Sequence, residues 1–127
     1  MAKIRVEIYF DYFDEKNASE QVLSYTLDEE AVTLECRNGV NAQRISLSAP
    51  IHGKKQLEKI LLEIRNVHRP INTINVIQVD DSGEEIQLFE LKESPSYKPI
   101  DVSHGICKND QTKSFYTEEL IFRMSQK

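Results

Sequence analysis

The hydrophobic rhythm of this 127-residue chain predicts an α+β fold. The expected architecture is a mainly antiparallel sheet of about six strands in ββββ-α-ββ-α order, with one amphipathic helix packed on a face. Three observations predict it. Residues 3–12 alternate apolar and polar side chains, as a half-buried strand does. From Lys54 to His68 the spacing changes to that of a helix. After Pro70 it returns to a period of two. The length suits one compact α+β domain over residues 1–127, large enough to bury a core without a disulfide or a metal.

The elements follow in order. In the first strand Ile4, Val6, Ile8, Phe10 and Tyr12 share one face, opposite Lys3, Arg5, Glu7, Tyr9 and Asp11. A polar stretch, residues 14–21, interrupts the pattern. Leu23, Tyr25 and Leu27 mark a second strand over 22–27, Asp28–Glu30 a turn, and Val32, Leu34 and Cys36 a third strand. Asn38-Gly39 is the dipeptide that most readily takes the positive φ angles of a tight hairpin. Ile45, Leu47 and Ala49 define a fourth strand over 43–49, so the first four strands read as a meander.

Leu57, Ile60, Leu61, Ile64 and Val67 fall on one stripe of a helix, with Leu62 the apolar exception on the polar side. Pro70 ends it, because proline lacks an amide proton and disfavours helix at the preceding residue. Ile74, Val76, Ile77 and Val79 then point to both faces of a strand, which requires cover on both sides or a β-bulge. Asp80-Asp81-Ser82-Gly83 reads as a turn and 86–91 as the returning strand. Residues 93–113, with Pro95 and Pro99, show no period and are expected as a long loop. Residues 114–124, with Phe115, Leu120, Ile121 and Met124, read as a short helix, although Leu120-Ile121-Phe122 also suits a strand.

Composition excludes more than it assigns. A formal net charge of −5 disfavours nucleic acid and anionic membrane as partners, since both need a positive field. Acidic clusters at Asp11, Asp14 and Glu15, at Asp28–Glu30 and at Asp80–Glu85 are explained as solvated turns that keep the protein soluble. The N-terminus has no continuous apolar run, so it is neither a signal peptide nor a membrane anchor. Without an export signal, Cys36 and Cys107 are expected as reduced thiols in a cytoplasmic protein.

Motifs of catalysis are missing. Gly39, Gly53, Gly83 and Gly105 are too scattered to cradle a phosphate, and His52-Gly53-Lys54-Lys55 before the helix is the nearest approach to an anion site. The run 80–85 lacks the ligand spacing of a calcium loop. His104 and Cys107 have H-x-x-C spacing, half of what zinc needs, and also suggest a Cys–His nucleophile pair. No cofactor and no metal are expected, with His104 and Cys107 the weak metal candidates.

What remains is the segment 93–113, too apolar for a linker. Tyr97, Ile100, Val102 and His104 are its candidate partner-binding residues, and Ile100–Ile106 could form an extra edge strand that pairs with a partner chain. The functional expectation is a small acidic protein-binding module without catalytic activity: an inhibitor, an immunity-type protein, an adaptor or an assembly subunit. Its partner is another protein, and self-association is an option. The alternative is a small enzyme or ligand-binding protein using a His104/Cys107 site.

Overall fold

A computed structural model describes residues 2–11, 22–51, 55–108 and 116–127. Residues 12–21, 52–54 and 109–115 lie outside the described residues, and with them Tyr12, Asp14, Glu15, the 14–21 stretch, most of the His52–Lys55 anion motif, Phe115 and the end of the expected loop. Among the described residues the order is β1 (Lys3–Phe10), β2 (Val22–Asp28), β3 (Thr33–Asn38), β4 (Ala42–Pro50), α1 (Gln56–Val67), β5 (Ile71–Val79), β6 (Glu85–Lys92), β7 (Asp101–Lys108) and β8 (Tyr116–Ser125).

The α+β class holds, with two corrections to its detail. Eight strands form two four-stranded antiparallel sheets, where one sheet of about six was expected. The segment expected as a second helix is strand β8. The first sheet (sheet A) has the order β2-β1-β5-β6 and the second (sheet B) β3-β4-β8-β7. The four leading strands are therefore not one meander. Each sheet lays two hairpins side by side, and the chain visits A, B, the helix, A and B again.

Alternation explains most strands directly. Ile4, Val6, Ile8 and Phe10 are buried on β1, while Arg5, Glu7 and Tyr9 stand on its outer side. On β5 the inner residues are Ile74 and Val76. The two-sided apolar pattern of this strand coincides with a bulge, since the β5–β6 ladder steps from Val76↔Phe89 to Ile77↔Gln87 and leaves Leu88 without a partner. Asn38-Gly39 does begin the β3–β4 connection, but as a three-residue loop in which Gly39 keeps a negative φ. At the β5–β6 turn Gly83 has φ +86°, and the Asp80 carboxylate accepts from Ser82 N (2.9 Å), Ser82 Oγ (2.7 Å) and Glu84 N (2.8 Å). These donors hold Asp80 below its ordinary carboxylate pKa, the Ser82 hydroxyl first among them.

The helix buries Leu57, Ile60, Leu61 and Ile64 and leaves Leu62 exposed, as its periodicity predicts. Each fully buried aliphatic side chain contributes about 2 kcal/mol relative to exposure. His68 ends the helix in the left-handed conformation (φ 55°) and donates to Arg65 O, and Pro70 follows. One continuous core joins this stripe to the inner faces of both sheets.

Candidate functional site at an open sheet edge

In sheet B, residues 101–108 of the expected loop are strand β7, and the expected C-terminal helix is strand β8. On β8 the buried positions are Glu118, Leu120, Phe122 and Met124, a strict alternation whose first member is a carboxylate. On β7 the inward residues are Val102, His104 and Ile106, opposite outward Ser103, Gly105 and Cys107. A glutamate and a histidine at inward positions interrupt the apolar pattern, and a period of two becomes hard to see.

The buried carboxylate has defined partners. Glu118 is 0% exposed, and its Oε1 accepts from the Leu57 backbone N–H at 2.9 Å. The helix has no side-chain cap of its own at Lys55, so a strand residue 61 positions away supplies the acceptor. The partial positive charge of a helix N-terminus suits a carboxylate there. His104 Nε2 lies 3.4 Å from Glu118 Oε2, and the His104 side chain is 10% exposed. This triad ties β7, β8 and α1 together in the core, and it had no signature in sequence.

The predicted binding residues divide by position. Ile100 is in the core at 9% exposure, and Val102 packs against it. Tyr97 is partly buried, and its backbone bridges to Gln126. His104 turns inward to Glu118. None of the four side chains stands free on an exposed loop; what faces solvent is the strand that carries two of them. His104 and Cys107 are three apart on a strand and so point to opposite faces. They share no side on which to hold a metal or to act as a nucleophile pair. Among the described residues no group of three His, Cys, Asp or Glu is placed to hold a metal ion.

Cys36 and Cys107 are both free thiols, on the two opposite edge strands of sheet B. Three strand spacings of about 4.8 Å separate those edges, beyond the reach of a disulfide. Burial, reinforced by Glu35, pushes the Cys36 thiol pKa up, which makes it a poor nucleophile. Elsewhere, a cleft of about 300 Å³ on sheet A is lined by Tyr9, Asp11, Asn72, Thr73 and Lys92 among others. Asn72 Nδ2 donates to Asp11 Oδ1 at 2.9 Å and Thr73 Oγ1 to Asn72 Oδ1 at 2.6 Å, so these groups largely satisfy one another.

The four sheet edges are not equivalent. A free edge exposes unpaired backbone groups, which proteins usually block with charges, bulges, short strands or a covering element. β6 has the Leu88 bulge and carries Glu85, Glu90 and Lys92. β3 is six residues long and bears exposed Glu35 and Arg37. β2 lies along the helix, sharing a cleft with Lys59 and Glu63, and Tyr25 Oη donates to Glu63 Oε2 at 2.5 Å. Among the described residues β7 has no bulge, packs against the helix and carries Asp101 and Lys108 at its two ends. Its eight residues pair with β8 without a register shift, and no charge falls between Asp101 and Lys108.

Gly105, at the middle of β7, adds a second observation. A Cβ built there meets nothing within 4 Å, and its φ is not left-handed. Glycine inside a strand costs about 0.5–1 kcal/mol relative to alanine, and neither packing nor backbone conformation in this chain requires it. A strand glycine often marks close approach of another backbone. No helix among the described residues is long and apolar enough to cross a membrane. Compared with known proteins, the chain matches no family model and no curated protein.

Proposed function

We propose that this chain is a non-catalytic protein-binding module, of the adaptor, inhibitor, immunity or assembly-subunit kind, that binds by accepting an extended strand at β7. The observation carrying this reading is the length and regularity of the β7 edge: eight residues without a bulge, with charges only at its two ends. Backbone hydrogen bonds to an added strand supply affinity, and the side chains beside it supply selection. Exposed Ile106 and Tyr116 give the partner apolar area next to the ladder.

The acidic residues take a different part. Those of the two turns at residues 28–30 and 80–85 gather at one end of sheet A, where Lys3 pairs with both Asp28 and Val79, and Gln78 Nε2 donates to Glu29 Oε1 at 3.4 Å. Sheet B's strands carry four acidic and four basic residues, so binding at β7 is nearly independent of salt. Two free thiols that cannot reach each other fit the reducing cytoplasm.

Affinity capture from a lysate of the source cells, with Gly105→Lys beside the wild type, tests the reading. A Cβ at this position meets nothing within 4 Å, and the lysine sets a charged side chain on the edge, so the variant is expected to keep the wild-type melting temperature. The expected result is one protein retained in stoichiometric amount by the wild type and lost by Gly105→Lys, with β7 amides protected from hydrogen exchange in the complex. Equal retention by both forms would place the binding surface elsewhere.

A further inference from the structure

The face of sheet B turned away from the core carries an arrangement that works against the fold. Arg37 on β3 stands directly opposite Arg44 on β4, and Arg44 directly opposite Arg123 on β8. All three point outward, because their neighbours Cys36, Ile45, Phe122 and Met124 turn to the core. Like charges directly opposite on adjacent strands destabilise a sheet, and this row sets three of them at spacings of about 4.8 Å. It uses three of the chain's six arginines and none of its ten lysines. We propose that the row is an anion site that binds the dianion of a phosphate monoester. The site lies on the sheet face, apart from the β7 edge, and does not depend on a strand being added there.

The chain itself shows how the row holds an oxyanion. Arg37 Nε lies 2.5 Å and Arg44 Nη2 3.3 Å from the same atom, Glu35 Oε1, so two guanidinium groups converge on one oxygen. Arg123 has no such partner. Asp101 stands opposite it in the ladder, yet among the described residues Arg123 forms no ion pair. The centre of the face also has bonding capacity to spare. Arg44 Nε is buried without a hydrogen-bond partner, and so is Ser46 Oγ, the next outward position along β4. Ser46 is 3% exposed and sits directly opposite Glu35, so displacement of that carboxylate opens space beside it. Buried polar groups left unpaired are costly, and an incoming oxyanion supplies the acceptors that these two lack.

The same arrangement selects the ligand. A single carboxylate gains little, because Glu35 already offers one from within the chain. A phosphate monoester brings a charge of about −1.5 to −2 and three strong acceptor oxygens. That suffices to displace Glu35 and to engage Arg123 as well. Arginine suits this task better than lysine, since its planar fork meets phosphate oxygens in pairs. An extended polyanion fits poorly. It would run past the row onto Asp101 and Glu119, on a chain whose net charge is −5. A compact dianion meets the three arginines alone.

Titration with inorganic phosphate and with a phosphoserine peptide, each at fixed ionic strength, tests the site through the arginine Nε–H signals in NMR. Acetate and the unphosphorylated peptide are the controls. The expected result is saturable shifts at Arg37, Arg44 and Arg123 with both phosphates, and none at Arg65 and Arg69 by the helix end. Arg123→Gln is expected to weaken binding about tenfold, the worth of one bond to a charged group. It also relieves the crowding of charge, so its melting temperature should equal or exceed that of the wild type. Glu35→Gln is expected to tighten binding about fivefold, because the internal competitor is gone. A purely structural Glu35 predicts no such gain. Tighter binding of the peptide than of free phosphate assigns the ligand to a phosphorylated chain, and equal binding assigns it to a small phosphate. Absence of saturable shifts overturns the inference, as does acetate acting as well as phosphate or an equal response at Arg65 and Arg69.

Discussion

Sheets A and B have the same construction, two hairpins side by side, yet they differ in where they place polar groups. Sheet A keeps its inner face almost wholly apolar and puts its charges outside. There Arg5 bridges Glu7 at 3.2 Å and Glu85 at 2.5 Å, and Gln87 Nε2 donates to Asn75 Oδ1 at 3.1 Å. Sheet B does the reverse. It sinks Glu118 and His104 into the core and leaves at its rim a strand charged only at its two ends. A buried carboxylate is costly unless it is fully hydrogen-bonded, so its position must be maintained by what it joins. In sheet B it joins the edge strand to the helix, and a rigid edge is a better template for an incoming strand than a fraying one.

The largest test of that contrast is at Glu118. Replacement by alanine strands the Leu57 N–H and the His104 ring, and is expected to cost about 3 kcal/mol in urea unfolding. Glu118→Gln keeps an acceptor for Leu57 and should cost less. A leucine at 118 that left stability unchanged would show that the carboxylate does not anchor the helix. Two exposed glycines, Gly83 and Gly105, sharpen the comparison next. Gly83→Ala forces alanine to φ +86° and is expected to destabilise by about 1 kcal/mol, while Gly105→Ala in β7 should be neutral or slightly stabilising.

A comparable effect is expected where sheet A meets the helix. Tyr25→Phe removes the hydroxyl bonded to Glu63 and should cost about 1 kcal/mol. Burial first, then that bond, raises the Tyr25 pKa above its ordinary value of 10. A raised folded-state pKa stabilises the fold below pH 10, and that stability is lost as pH rises beyond it. Alkaline unfolding of the phenylalanine variant should therefore be less steep than that of the wild type. The smallest effects belong to the exposed acids. Asp80, bonded to its own turn, and Glu85, bonded to Arg5, both titrate below their ordinary values. Their stabilising contribution is present above those ordinary values and fades as pH falls through the depressed ones. Carboxyl NMR titration should place both midpoints below the ordinary carboxylate values; midpoints at those values would mean that the two bonds are absent in solution.

Legibility in the sequence followed the chemistry of each element. β1, α1 and the Asp80–Gly83 turn could be read residue by residue, because every inward position is apolar and each breaker sits where the backbone needs it. β8 and β7 could not, because Glu118 and His104 occupy inward positions that a pattern of hydrophobicity assigns to Leu or Val. The open edge was nevertheless foreshadowed by the apolar spacing of Ile100, Val102 and Ile106. Its anchor was not, since Leu57 and Glu118 lie 61 positions apart and neither suggests the other.

Local periodicity thus dictated the α+β class, most of the strands and the helical stripe, because burial of one face is a property of a few consecutive side chains. The division into two sheets, the choice of which strands lie at the edges and the pairing of Glu118 with a helix end were settled by tertiary packing. Each depends on contacts between segments distant in the chain, where the energy of a side chain is set by its neighbours in space and not by its neighbours in order.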